Sequence, residues 1–303
     1  MFKVKVFTAF SGYDSQCLAL DRLHEQYPMF DYELVGWSEI DKYAIQAHNA
    51  LYPQYADCNF GDISKIDWSS VPDFDLFTYS SPCQDFSNAG LQRGGEKGSG
   101  TRSSLLWECQ RAIEAKKPKY CLLENVANLV SKKFVPLFNR WQSTLEKLGY
   151  RNFCCVMNAK DYGVPQNRKR VFLVSVMSDV PYTFPKPIEL KKKLLSILED
   201  DVDESYYVDA ERLKGLLFST QKQKEKGNGF AFCPKGEDDI ANSITQNAGG
   251  RKTDNFIKVK TATKEGYDEI KEYPGCFDSS YPTSNTRRGR VQVGGGNSSN
   301  IND

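Results

Sequence analysis

Cys83 follows a proline in the polar run Ser80-Ser81-Pro82-Cys83-Gln84-Asp85-Phe86-Ser87, directly after a strand-like segment at 75–79. A thiolate at the carboxyl end of a sheet strand can meet a ligand, so this position suits a nucleophile. Cys17, Cys109, Cys121, Cys154 and Cys155 lie in segments where a cysteine reads as a small packing residue. Glu124-Asn125-Val126 closes another strand and brings a carboxyl to the same edge, with a structural cap as the alternative. Gln166, Arg168 and Arg170 precede an apolar strand. A guanidinium fork there suits a polar base, unless the arginines form a solvated edge. Phe10-Ser11-Gly12-Tyr13 is a fragment of a Gly-rich turn, with Asp14 and Ser15 where further glycines would stand. By itself it reads as a plain strand-to-helix turn. Glu39, at the end of a second strand, suits ribose hydroxyls, and Asp62 in Asn59-Phe60-Gly61-Asp62-Ile63 suits an exocyclic amine. Each could equally be a helix cap or a solvated loop.

Much other chemistry is excluded. The only histidines are His24 and His48, both in helix-like segments, so Ser-His-Asp hydrolysis and His-rich metal sites are not expected. Nine cysteines, an odd number without paired spacing, point to reduced thiols in a cytosol-like compartment. The net charge of +1 from 40 basic and 39 acidic residues means that any polyanion must be met by local positive charge. No apolar run approaches the roughly 18 residues of a membrane span. The start MFKVKVFTAF lacks the apolar core of a signal peptide, so a soluble, unexported, cytoplasmic protein is expected.

The elements that must position these residues alternate. Strands are predicted at 3–10, 32–37, 75–79, 120–123, 151–157 and 171–177. Helices are predicted at 14–26, 42–51 (with Asp41 as cap), 103–115 and 133–148. This order predicts an α/β doubly wound sheet whose ligands bind at strand carboxyl ends, where the strand order reverses. Beyond about 181 the chain becomes charge-rich over 185–226, then loop-rich with a strand-like fragment at 255–260 and a small polar tail at 294–303. The expected division is 1–181 and 182–303.

Taken together, Pro82-Cys83-Gln84, Glu124-Asn125-Val126 and Gln166-Asn167-Arg168-Lys169-Arg170 resemble, in order and approximate spacing, the catalytic motifs of the cytosine-C5 methyltransferases. Phe10-Ser11-Gly12 is similar to that family's cofactor motif, Glu39 and Asp62 to its two carboxylates, and Thr101-Arg102-Ser103-Ser104-Leu105 to its loop-to-helix motif. The resemblance runs over about 4–178. It implies a Rossmann-like, S-adenosylmethionine-dependent methyltransferase domain with a mixed sheet, a smaller irregular target-recognition domain, and no metal. It implies Cys83, Glu124, Arg168 and Arg170 as catalytic residues, with Glu124 in a partly dry pocket. Phe10, Gly12, Glu39, Ile40, Asp62, Ile63, Pro82 and Leu105 would hold S-adenosylmethionine, and Gln84, Ser87, Arg102 and Gln166 would meet the substrate. The partner implied is double-stranded DNA in a bacterial or phage-infected cell, with the target base flipped out and a loop at 91–101 closing over it. Arg251, Lys252, Arg287, Arg288 and Arg290 are candidate DNA contacts. The family's closing Arg-helix and Gly-Asn motifs are not matched, and Gly296-Asn297-Ser298 is only a faint echo. A chain ending near its recognition region is therefore expected, with a second polypeptide as a possible source of the missing helix. A tRNA cytosine-C5 methyltransferase and a weakly active DNA-binding remnant are the alternatives.

Overall fold

β1 (Phe2–Ala9) runs down the middle of the first unit because Val4, Val6, Phe7 and Ala9 are buried on its two faces. A strand apolar on both faces belongs inside a covered sheet. The computed structural model describes residues 2–82, 102–199, 202–203, 207–227, 232–244 and 255–258, with two-residue strands at 262–263, 266–267 and 290–291. Contacts divide the chain into Met1–Met157 with Lys169–Lys186, and Asn158–Arg168 with Pro187–Asp303.

In the first unit α1 (Ser15–Gln26), β2 (Phe30–Ser38), α2 (Lys42–Leu51), β3 (Leu76–Tyr79), α3 (Leu106–Lys116), β4 (Tyr120–Val126), α4 (Val135–Lys147) and β5 (Arg151–Asn158) follow in turn. After a short β6 (Gln166–Asn167), β7 (Lys169–Val176) returns to the sheet, whose order is β2-β1-β3-β4-β7-β5. β1 pairs parallel with β2 and β3, β3 parallel with β4, and β7 antiparallel with β4. The order reverses at β1, which opens a crevice between the carboxyl ends of β1 and β3. A parallel bridge between Trp37 and Asn59 extends the outer side of β2.

Phe7 anchors the core, with ring centroids 5.2 Å from Trp68 and 5.3 Å from Phe74. Trp141 Nε1 donates to the buried Tyr79 hydroxyl at 3.2 Å, fixing α4 against β3. Asp41 caps α2 as expected, its Oδ1 accepting from Tyr43 N and Ala44 N, each at 3.0 Å. β4 runs to Val126 rather than 123 because β7 pairs with its full length. α3 begins later than predicted, after a 3-10 turn at Arg102–Leu105. Cys154 is exposed and Cys155 half-exposed, contrary to the packing expectation, because β5 is the last strand of the sheet.

The second unit is more ordered than its composition suggests. β8 (Tyr207–Val208) pairs parallel with Arg290–Val291, and α5 (Ala210–Glu225) follows, with Asp209 Oδ1 accepting from Arg212 N at 2.7 Å. Val208, Leu213, Phe232 and Phe256 form a small core beside it. The sequence did not suggest this helix, since its lysines and glutamines dilute the apolar periodicity. β9 (Ala241–Asn242) pairs parallel with β6. Of the strand-like fragment expected at 255–260, residues 255–258 are described, and there Ile257 forms a parallel bridge with Lys235.

Candidate active site

The turn after β1 is wound left-handed: Phe10 has φ 55°, Gly12 φ 59° and Asp14 φ 66°. Nothing lies within 4 Å of where a Gly12 Cβ would stand, so glycine is needed there for its dihedral freedom. Ser11 N donates to Ser38 O at 3.2 Å, and Gly12 N donates to Glu39 Oε2 at 2.9 Å. Glu39 Oε1 accepts from Ile40 N at 2.7 Å and Asp41 N at 2.9 Å. Three backbone N–H groups thus fasten the Glu39 carboxylate, and of its about four lone-pair sites about one is left for a ligand hydroxyl.

Asn59, which the sequence did not single out, fixes the neighbouring loop. Its Oδ1 accepts from Gly61 N at 2.9 Å and Glu39 N at 3.3 Å, and its Nδ2 donates to Glu39 O at 3.2 Å. Ser38 Oγ donates to Gly61 O at 2.6 Å. These bonds tie the loop carrying Asp62 to the end of β2. Asp62 caps the short turn Ile63–Lys65, and its Oδ1 accepts from Ser64 Oγ at 2.8 Å and Ser64 N at 3.0 Å. Those bonds hold its carboxyl below the usual range, so it is an anionic acceptor at neutral pH. Ile40 is exposed, whereas Ile63 is 2% exposed and packs in the core, leaving only its backbone to face a ligand. Leu105 is half-buried just before α3.

On the other side of the crevice, Gln16 Nε2 donates to Ser80 Oγ at 3.1 Å, joining α1 to the end of β3. Buried Asn125 donates from Nδ2 to Ser81 O at 3.1 Å, anchoring the chain where it enters Pro82. Glu124 Oε1 is 2.8 Å from Arg170 Nε, each side chain partly exposed. The register pairs Val126 with Arg170 and Glu124 with Phe172, so the two charges meet diagonally on one face. Gln166 and Arg168 belong to the second unit. There Asn158 Oδ1 accepts from Arg168 N at 2.9 Å, Asn158 Nδ2 donates to Asn167 Oδ1 at 2.8 Å, and Ala159 N donates to Arg168 O at 3.0 Å.

Cys83, Gln84, Ser87, the loop at 91–101, Arg251, Lys252, Arg287 and Arg288 lie outside the described residues, as does the side chain of Arg102. Burial pushes the thiols of Cys17, Cys109 and Cys121 up, so these remain neutral packing groups. Among the described residues no cluster of His, Cys, Asp or Glu could hold a metal ion. No helix among them is long and apolar enough to cross a membrane.

A glycine-bearing turn after the first strand, a tethered carboxylate after the second and an antiparallel strand inserted beside the fourth define a Rossmann-like methyltransferase class. The family model for C-5 cytosine-specific DNA methylases matches residues 4–291, running through both units. The type II methyltransferase M2.ScrFI of Lactococcus lactis subsp. cremoris is 37% identical over 257 residues, covering 68% of this chain and 70% of that protein. The orphan methyltransferase M.Rho11sI of Bacillus phage rho11s is 33% identical over 257 residues, covering 75% of this chain and 50% of the phage protein. The solved structure of the Entamoeba histolytica methyltransferase EhMeth shares the fold, with a TM-score of 0.68 at 18% identity over 90% of this chain and 80% of that one. The chain belongs to the C-5 cytosine-specific DNA methylases.

Proposed function

We propose that this chain methylates C5 of cytosine in a specific sequence of duplex DNA, with Cys83 as the covalent nucleophile. The observation that carries the assignment is the Asn125–Ser81 tie. Cys83 lies two residues beyond Ser81 and Glu124 is adjacent to Asn125, so one buried bond links the nucleophile's loop to the carboxyl's strand. The family model supports DNA as the substrate, and residues 182–303 are assigned to target recognition.

The crevice fits S-adenosylmethionine. Glu39 keeps an acceptor site for a ribose hydroxyl, and anionic Asp62 suits an amine N–H. Phe10, Gly12, Ile40, Ile63, Pro82 and Leu105 complete the cofactor set. When bound, S-adenosylmethionine supplies an electrophilic methyl group. Cytosine C5 is too weak a nucleophile to take it unaided. Addition of the Cys83 thiolate to C6 makes the ring enamine-like, so that C5 becomes nucleophilic. Negative charge builds on the ring meanwhile, and Glu124 relieves it as a proton donor at N3. Arg168 stabilises the carbonyl side of the adduct, and Arg170 orients Glu124. Once C5 is methylated, loss of its proton to a base and β-elimination release Cys83, and the N3 proton returns to Glu124. Because C6 is shielded inside a duplex, the base must be flipped out; Gln84, Ser87, Arg102 and Gln166 are assigned to meet it.

Cys83→Ser should abolish methyl transfer while leaving S-adenosylmethionine binding largely intact, and Glu124→Gln should be milder. Appreciable methylation by the Cys83→Ser enzyme would overturn the mechanism. A duplex carrying 5-fluorocytosine should trap the parent chain covalently. Trapping on tRNA and not on DNA would assign the substrate to the RNA instead.

A further inference from the structure

Asp14 stands in the turn where the Gly-rich pattern would carry another glycine, yet it adopts φ 66° with a side chain 0% exposed. Its Oδ2 accepts from Thr8 Oγ1 at 2.6 Å and its Oδ1 from Cys17 N at 3.2 Å. The neutral Cys17 thiol also hydrogen-bonds this carboxylate, and of its about four acceptor sites these three donors leave about one open. His48, on α2, is also 0% exposed and lies flat on Trp37, with ring centroids 3.7 Å apart and an interplanar angle of 16°. Among the described residues neither of its ring nitrogens makes a hydrogen bond. Its Nε2 is 3.7 Å from Asp14 Oδ2. Two dry polar groups, each short of partners, therefore face each other.

Of the neighbouring groups the Cys17 thiol also bonds Asp14, while the nearby tyrosines are engaged elsewhere. The Tyr52 ring is 5.5 Å from His48. Its hydroxyl donates to Asp21 at 3.1 Å, and Tyr32 donates to the same carboxylate at 2.6 Å. Burial pushes Cys17, Tyr32 and Tyr52 up, so all three stay neutral.

We propose that His48 is a positioning residue for the cofactor turn. Acting through Asp14, it holds the turn in which Phe10, Gly12 and Asp14 are left-handed and which aims Gly12 N at Glu39 Oε2. The inference rests on the cofactor reading above. A glycine at position 14 would need no such partner, whereas an aspartate there carries both backbone strain and a buried polar group.

The test is a double-mutant cycle in the full chain, reading KM for S-adenosylmethionine, kcat and calorimetric cofactor binding. His48→Phe keeps a flat ring on Trp37 and removes both nitrogens. It should raise KM for the cofactor roughly tenfold with kcat within about twofold, the loss expected for one buried polar contact. His48→Gln keeps an N–H for Asp14 and should fall between Phe and parent. In an Asp14→Gly background, His48→Phe should change KM by less than about twofold, since the group it served is gone. With only two histidines in the chain, the His48 imidazole signals can be followed by NMR and should shift on cofactor addition. Equal KM increases in both backgrounds, or a fall in kcat at unchanged KM, would overturn the positioning role. Failure of the parent itself to bind S-adenosylmethionine would instead overturn the cofactor reading.

Discussion

Arg170 Nε and Glu124 Oε1 meet at 2.8 Å across the antiparallel pair of β7 and β4. The carboxyl assigned to proton donation is thus oriented by an arginine of the Gln166-Asn167-Arg168-Lys169-Arg170 run, whose backbone continues into the sheet as β7. A fork-shaped guanidinium fixes both distance and direction, which a flexible ammonium does not.

Arg170→Gln should therefore lower kcat roughly tenfold, about 1.4 kcal/mol, with KM for S-adenosylmethionine nearly unchanged. Arg170→Lys should recover only part of that loss. Steady-state methyl transfer at saturating cofactor checks it, and an unchanged kcat would remove Arg170 from the orientation of Glu124.

Glu39→Gln should act on cofactor binding instead. Both carboxylate oxygens already accept backbone N–H bonds, so an amide must turn an NH2 toward one of those donors. Leaving such a donor unmet costs about 1–3 kcal/mol, so calorimetry should show binding weakened roughly tenfold or more. The fold should survive, because the sheet beneath does not depend on the loop.

Acid stability should follow the aspartates. The Lys119 ammonium, 2.8 Å from Asp75 Oδ1, and Lys5 N hold the Asp75 carboxyl below its usual range, as the Ser64 bonds do for Asp62. A lowered carboxyl contributes stability above its unfolded pKa of about 3.9, and that contribution is lost as pH falls through the folded value. Urea midpoints should hold steady from neutral pH to about 5 and drop below about 4. Asp75→Asn should flatten that drop; an identical slope would show that the bonds are silent.

Gly36→Ala tests the core beneath the site. An added Cβ would stand 2.7 Å from a Phe60 ring carbon and 2.8 Å from a Phe7 ring carbon, both in the packed aromatic cluster. Overpacking of this kind costs about 1–3 kcal/mol, so the thermal midpoint should fall by several degrees. No change would mean that these rings move aside freely.

How much was legible beforehand depended on how local the physics is. The bounds of α2 and its Asp41 cap follow from neighbours along the chain, because a cap bond spans two or three residues. The order of the motif residues and the exclusion of histidine-based hydrolysis needed only composition and spacing. α5 was hidden because its surface lysines and glutamines dilute the apolar signal, although Asp209 marks its start.

What the tertiary structure alone decided was which groups face each other. Glu124 could have been a cap, and its meeting with Arg170 required β7 to enter antiparallel beside β4. Asn59 became the clasp on Glu39 only because its loop crosses the outer side of β2. His48 read as one more residue of a helix, since periodicity along α2 says nothing about the turn after β1 that it touches. Residue types set what each side chain can do and local spacing sets the elements. Pairing between distant segments is settled by the burial of the whole sheet, so the partners emerge only once the chain is folded.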